Sequence, residues 1–259
     1  MNKVDRNVLI TGATGGIGRA FACAFAKQGD NLILTGRKEE QLKRIANKIC
    51  EKYRVHVQYI PLDLSQKNAE EQLWMWCEKR KIKVDILVNN AGYGYVGAFL
   101  KEQLEEIDCM SKVNMIAMGK LCWLFGNDMK GRKKGAVINV ASTGAYHPGP
   151  YTALYYATKA FVLSLSEALE VELKPYGIQV LTICPGAVKT GFSKRAGRRE
   201  NVFAMSPKRV AMDAVEALEH GKNRMISGMF YKIFIHIPRK IGRYLVCWQQ
   251  KNMAFHIDK

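Results

Sequence analysis

Apolar residues follow two alternating rhythms along this 259-residue chain. Short, nearly continuous apolar runs occur at residues 7–10, 31–35, 55–61, 85–89, 136–141 and 178–184. Between them, apolar positions recur at helical spacing over 17–28, 38–53, 66–80, 101–129 and 155–174. Runs without polar alternation predict strands buried on both faces. Strands alternating with helices predict an α/β fold, a parallel sheet with helices on both faces. Right-handed crossovers make such a sheet doubly wound, with its ligand crevice at the C-terminal strand ends.

The chemistry-bearing residues fall at those ends. Tyr155 and Lys159 are four apart in a predicted helix, so phenol and ammonium share one face. A free tyrosine ionises near pH ~10, and a nearby cation favours the phenolate. Such a phenol acts as a general acid or base close to neutrality. Ser142 ends the 136–141 run and projects toward the same place. A carbonyl held between Ser142 and Tyr155 would receive hydride at carbon and a proton from Tyr155. Tyr151 and Tyr156 are poorer candidates, because no lysine follows either of them by four residues.

Near the N-terminus the run Val8–Ile10 leads into Thr11-Gly12-Ala13-Thr14-Gly15-Gly16-Ile17-Gly18 and then a helical pattern. Strand, glycines and helix in this order form a dinucleotide phosphate cradle. Gly12 permits the tight turn, Gly16 lets backbone approach the pyrophosphate, and Gly18 lets helix pack on strand. The helix N-terminus adds unpaired N–H groups and its positive dipole end. Thr14, Gly15 and Ile17 complete the loop.

Taken in order, Thr11-Gly12-x-x-x-Gly16-Ile17-Gly18, Asn89-Asn90-Ala91-Gly92, Asn114, Ser142, Tyr155-x-x-x-Lys159 and Pro185-Gly186 resemble the short-chain dehydrogenase/reductase family in its single-domain form. The resemblance extends over roughly residues 5–228 and implies a doubly wound Rossmann fold. It implies that Lys159 stabilises the Tyr155 phenolate and holds the nicotinamide ribose. Asn114 matches the position that holds a water for proton relay, and also suits a helix asparagine bonded to backbone. Asn90 would steady the central sheet near the cofactor, with Ala91 and Gly92 beside it. Pro185, Gly186 and Val188 would meet the nicotinamide carboxamide, and Thr190 would close over the cofactor. Asp63 would accept from the adenine amino group with Leu64 beside it, although Asp63-Leu64-Ser65 also suits a helix-capping turn.

The second strand ends in Thr35-Gly36-Arg37-Lys38, with no acid at its tip to hold ribose hydroxyls. Arg37 is placed to clasp a 2′-phosphate bidentately, with Lys38 as helper, which predicts NADP(H) over NAD(H). Against this, many NADP-type relatives also carry a basic residue in the glycine loop, where this chain has Thr14.

Composition narrows the remaining classes. With 48% hydrophobic and 24% charged residues the chain is globular. Its first residues contain no apolar signal region, and no uncharged run approaches the ~20 residues that span a bilayer. Seven scattered cysteines without Cys-x-x-Cys predict reduced thiols and a cytoplasmic setting. No His/Cys/carboxylate spacing suggests a metal. The net charge of +17 is dispersed over predicted helices without a nucleic-acid module, so no nucleic-acid partner is predicted.

Residues 1–228 are read as one catalytic domain whose substrate loop spans 187–206. That loop mixes Phe192, Val202, Phe203 and Met205 with Lys194, Arg195, Arg198 and Arg199. It suits a bulky hydrophobic substrate with an anionic end, or a plain solvated loop. Ser206-Pro207 looks like a cap and first helical residue, with Gly221 ending that helix. The tail, 229–259, carries apolar residues at helical spacing interleaved with Lys232, Arg239, Lys240 and Arg243, broken near Pro238. It would rest on an anionic membrane surface, pack on a partner subunit or cap the pocket. The tail, with Ser206-Pro207 and the Thr11-Gly12-Ala13-Thr14 loop, is similar to a subgroup including hydroxysteroid dehydrogenases and very-long-chain 3-oxoacyl-CoA reductases, and equally to bacterial members of unassigned substrate. The predicted activity is therefore ketone/secondary-alcohol interconversion on a steroid or 3-oxoacyl substrate by a homodimer or homotetramer. A cofactor-binding sensor with little turnover and a membrane-surface protein are the alternatives.

Overall fold

The computed structural model describes residues 6–197, 199 and 204–253. Arg198, Val202 and Phe203 of the expected substrate loop lie outside the described residues. Seven strands are present: β1 (Asn7–Ile10), β2 (Asn31–Gly36), β3 (Val57–Pro61), β4 (Ile86–Asn89), β5 (Gly135–Val140), β6 (Ile178–Pro185) and β7 (Arg224–Ser227). They form one sheet in the order β3-β2-β1-β4-β5-β6-β7. Every neighbouring pair is parallel. The order reverses between β1 and β4, which makes the ligand crevice of a doubly wound sheet.

The helices are α1 (Gly16–Gln28), α2 (Glu39–Tyr53), α3 (Ala69–Lys79), α4 (Leu104–Ser111), α5 (Met118–Arg132), α6 (Ala153–Leu173), α7 (Phe192–Arg195), α8 (Pro207–Glu219), α9 (Met229–Phe234) and α10 (Arg239–Met253). Successive strand residues face opposite sides. Val8, Ile10, Leu32 and Leu34 pack with Phe21 and Phe25 of α1, Leu42 of α2 and Val210 of α8. Leu9, Ile33 and Leu87 face the other way onto Leu73 of α3, Phe125 of α5 and Val162 of α6. Leu9 and Leu87 are fully buried, and each such side chain stabilises by about 1.5–3 kcal/mol. These two apolar layers clamp the sheet and fix the strand tips that carry the site.

Several elements differ from the pattern of the sequence. The third strand starts at Val57, not at 55. α3 starts at Ala69 because Asn68 turns through a left-handed conformation, φ 58°. The single helix expected over 101–129 is a short 3₁₀ turn, then α4, a π-turn at Lys112–Ala117 and α5. β7 was not expected. It holds only Arg224-Met-Ile-Ser and has two apolar residues. The expected signals around α8 are present: Ser206 Oγ accepts from Arg209 N at 3.1 Å, Pro207 opens the helix, and Gly221 follows it at φ 67°. α9 and α10 divide at Pro238 as expected.

Candidate active site

The glycine loop is shaped by close backbone approach. Gly12 has φ +63°, and a Cβ there would lie 2.8 Å from Ala91 Cα. A Cβ on Gly18 would collide with the Gly12 carbonyl oxygen, so only glycine seats α1 against the loop. Thr11 Oγ1 accepts from the Asn90 and Ala91 amides, both at 3.0 Å. Asn90 Nδ2 donates to Thr11 O at 2.8 Å and Gly12 O at 3.1 Å. The tips of β1 and β4 are thereby locked together. Thr190 reaches across this loop, its Cγ2 2.6 Å from where a Gly16 Cβ would be. Gly12, Gly15, Gly16, Ile17, Gly18, Asn90, Ala91 and Gly92 line one wall of a cavity of about 750 Å³.

Ser142, Tyr155 and Lys159 line the same cavity. Ser142 follows β5, and its Oγ accepts from Gly144 N at 3.0 Å. That bond occupies an acceptor site and leaves the hydroxyl proton to donate. Tyr155 and Lys159 lie on the first turns of α6, with the Lys159 ammonium 5.8 Å from the Tyr155 ring centroid. Lys159 is 5% exposed, and its Nζ donates to Val140 O at 2.7 Å. Burial pushes its pKa down to about 8, with Cys184 pulling weakly the other way. Burial pushes the Cys184 thiol up to about 11. Gly94 lies beneath the Tyr155 ring: a Cβ there would be 2.8 Å from Tyr155 Cδ2 and 3.1 Å from Phe192 Cζ.

Asn114 sits in the π-turn, 2% exposed. Its Oδ1 accepts from Tyr93 N at 3.1 Å, and its Nδ2 donates to Tyr93 O at 2.9 Å and Thr158 Oγ1 at 3.0 Å. The side chain thus joins the β4–α4 connection to α6. A Cβ on Gly92 would lie 3.1 Å from Asn114 Oδ1 and 3.4 Å from Lys159 Nζ, so amide and ammonium are neighbours. A π-turn widens the helix and often marks a functional site.

The adenosine-end candidates lie outside this cavity, around the tips of β2 and β3. Thr14 meets Gly36, where a Cβ would lie 3.4 Å from Thr14 Oγ1. Arg37 and Lys38 are exposed, Lys38 as the residue before α2. Burial and then Glu106 push the Tyr93 phenol up, and the charge of Arg37 opposes them only slightly. Asp63 Oδ1 accepts from Ser65 N at 3.0 Å and Ser65 Oγ at 2.8 Å, forming a local turn that caps no helix, because α3 begins only at Ala69 with Asn68 as its N-cap. Leu64 is buried in the core.

Beyond Pro185, Gly186 and Val188, the far wall is largely apolar. Phe192, Met205, Phe230, Phe234, Leu245 and Trp248 make up most of it, with Ser193, Arg195 and Gln249 as its polar members. The base of the expected substrate loop is zipped by Lys189 N to Met205 O at 2.8 Å and Met205 N to Ala187 O at 2.9 Å. Sequence reasoning missed Tyr231. Its ring lies where a Gly186 side chain would be, and its hydroxyl accepts from Ala187 N at 3.1 Å. It also missed His147, whose Nε2 bonds Phe234 O at 2.9 Å and whose ring stands edge-on to Phe234 at 4.6 Å. These bonds pin α9 to the end of β6 and to the segment after Ser142. The tail therefore caps the cavity, one of its three expected roles.

A family model described as "short chain dehydrogenase" matches residues 6–201. The very-long-chain 3-oxoacyl-CoA reductase of Anas platyrhynchos is 34% identical over 72% of this chain and 61% of its own length. This chain thus spans about three fifths of that relative. Hydroxysteroid dehydrogenase-like protein 1 of Gallus gallus is 30% identical over 96% of this chain and 76% of its own. A short-chain dehydrogenase from Sphingobium yanoikuyae, solved in complex with NADPH, superposes with a TM-score of 0.82. It is 28% identical, covering 95% of this chain and 94% of that one. With the cradle at β1, the Ser142/Tyr155/Lys159 cluster and a match over most of its length, the chain belongs to the short-chain dehydrogenase family of oxidoreductases.

Proposed function

We propose that the protein interconverts a ketone and a secondary alcohol on a bulky hydrophobic substrate, with NADP(H) as its dinucleotide. The observation that carries this reading is one cavity lined by three features. They are the glycine cradle, the Ser142/Tyr155/Lys159 cluster and a wall of aromatic and aliphatic side chains. The cradle fits a dinucleotide pyrophosphate: at Gly12 and Gly18 a Cβ would strike backbone, and the α1 N-terminus offers its amides there. The bound nicotinamide would supply the hydride. Ser142 would donate its hydroxyl proton to the substrate oxygen while Gly144 N holds its Oγ. Tyr155 would give its phenolic proton to the same oxygen as negative charge develops, and take it back in oxidation. Lys159 would favour the phenolate by its nearby charge. Asn114 would hold the ammonium's surroundings in register and take part in proton relay. Thr190 would fold over the pyrophosphate from the loop after β6. Gly36 and Arg37 support the NADP(H) preference: no carboxylate repels a 2′-phosphate, and the guanidinium is free to turn toward one.

The apolar wall and the names of the two relatives point to steroid and 3-oxoacyl substrates. The test is NADPH and NADH oxidation over a panel of ketosteroids, 3-oxoacyl thioesters and aromatic ketones. Turnover of one class, faster with NADPH, supports the reading. NADPH binding with no turnover across the panel would instead favour a sensor.

A further inference from the structure

The same tail residues that wall the cavity also face outward. Phe230, Leu245 and Trp248 line the cavity yet are 69%, 45% and 70% exposed. The cavity therefore reaches the surface beside α9 and α10. On the same two helices Ile233, Ile241 and Tyr244 are 68%, 52% and 61% exposed. Lys232, Arg239, Lys240 and Arg243 are exposed on the same two helices. No Asp or Glu occurs between Glu219 and Asp258. Among the described residues, no helix is long and apolar enough to cross a membrane.

We propose that this face docks the protein on an anionic lipid surface, with the cavity mouth turned toward the bilayer. Aromatic and aliphatic side chains beside cations, without any acid, have the composition of a helix lying in a membrane interface. The apolar residues enter the acyl boundary while the cations meet anionic headgroups. The face is held in shape before it meets lipid. Tyr231 bonds Ala187 N at 3.1 Å, and His147 bonds Phe234 O at 2.9 Å. A second copy of this chain is the competing occupant of an exposed apolar face. A two-fold contact here would set each patch against its own copy and bring like charges together with no acid to offset them. An anionic lipid surface has the complementary charge. An apolar substrate dissolved in the bilayer would then enter without crossing water. That route rests on the oxidoreductase reading; the docking itself does not.

The test is cosedimentation of the full chain with phosphatidylcholine vesicles, with and without phosphatidylserine. Two double variants avoid the cavity lining: Ile233→Asp/Ile241→Asp, and Arg239→Glu/Lys240→Glu. The second places acids in the first turn of α10, where the helix dipole favours them. The wild type is expected to bind phosphatidylserine vesicles, to bind pure phosphatidylcholine far less, and to be released by salt. Each variant should bind roughly ten-fold or more weakly, since each buried apolar group and each basic residue contributes to partition. Both should keep the wild-type circular dichroism and NADPH affinity. Absence of wild-type binding, or equal binding by the variants, would overturn the proposal. So would a lipid-free dimer that Ile233→Asp/Ile241→Asp dissociates, since the face would then belong to a second copy. Loss of turnover on soluble ketones in the wild type would instead count against the oxidoreductase reading and leave the vesicle result to judge docking.

Discussion

Lys159 is a buried cation, and its burial should be readable in stability. The fall of its pKa from 10.5 to about 8 corresponds to about 3 kcal/mol of differential interaction between its two protonation states. The sign follows from proton counting. Between these values the unfolded chain binds more protons at this site than the folded one, so stability rises with pH. Below pH 8 the folded protein bears the full cost of the buried ammonium. Above 10.5 both states are neutral and the cost is gone. Lys159→Met removes the titration and the bond to Val140 O, and the loss of that bond is independent of pH. The assay is urea unfolding of wild type and variant, free of cofactor, from pH 7 upward. The difference between them should move in the wild type's favour by about 1.5 kcal/mol between pH 8 and pH 9.5. A difference that stays flat over that window would refute the burial argument. A shift toward the variant would reverse its sign.

Arg37→Asp replaces a phosphate clasp with a repelling carboxylate. It should move cofactor preference from NADPH toward NADH by about 10- to 100-fold, measured as the ratio of kcat/KM values. Gly94→Ala puts a methyl group 2.8 Å from the Tyr155 ring. The ring must shift by several tenths of an ångström, so kcat should fall by roughly 10- to 100-fold with NADPH affinity kept; unchanged kcat would mean that the ring yields harmlessly. Trp123 on α5 is 70% exposed, and Ile116 before α5 and Phe161 on α6 are exposed as well. If α5 and α6 form the subunit interface, Trp123→Glu should yield a monomer by sedimentation velocity, and a wild type already monomeric would contradict that assembly.

Much of the fold was legible because fully buried strands leave continuous apolar runs, and glycine and proline mark where elements end. β1, β2 and β4 to β6 are such runs. β7 is not, because Arg224-Met-Ile-Ser is short, begins with an exposed arginine and pairs only with β6 at the sheet border. The π-turn at Lys112–Ala117 carries no glycine or proline to announce it. It accommodates Asn114, whose bonds to Tyr93 and Thr158 come from distant segments. The motif residues were readable because their spacing encodes chemistry. The tail's amphipathic stripe and its break at Pro238 were readable as well, but a stripe does not name what it packs against. That is decided by pairings such as His147 with Phe234 and Ala187 with Tyr231, which lie 87 and 44 residues apart.

The central claim is that Tyr155 transfers the proton beside a reductant held by the glycine cradle. The most direct measurement compares wild type with Tyr155→Phe, recording NADPH affinity by fluorescence titration and single-turnover reduction of the best ketone from the panel. The account predicts equal NADPH affinity and a rate lowered by at least about 10²-fold, as expected for loss of general acid catalysis. A Tyr155→Phe protein that reduces the ketone at the wild-type rate would contradict it.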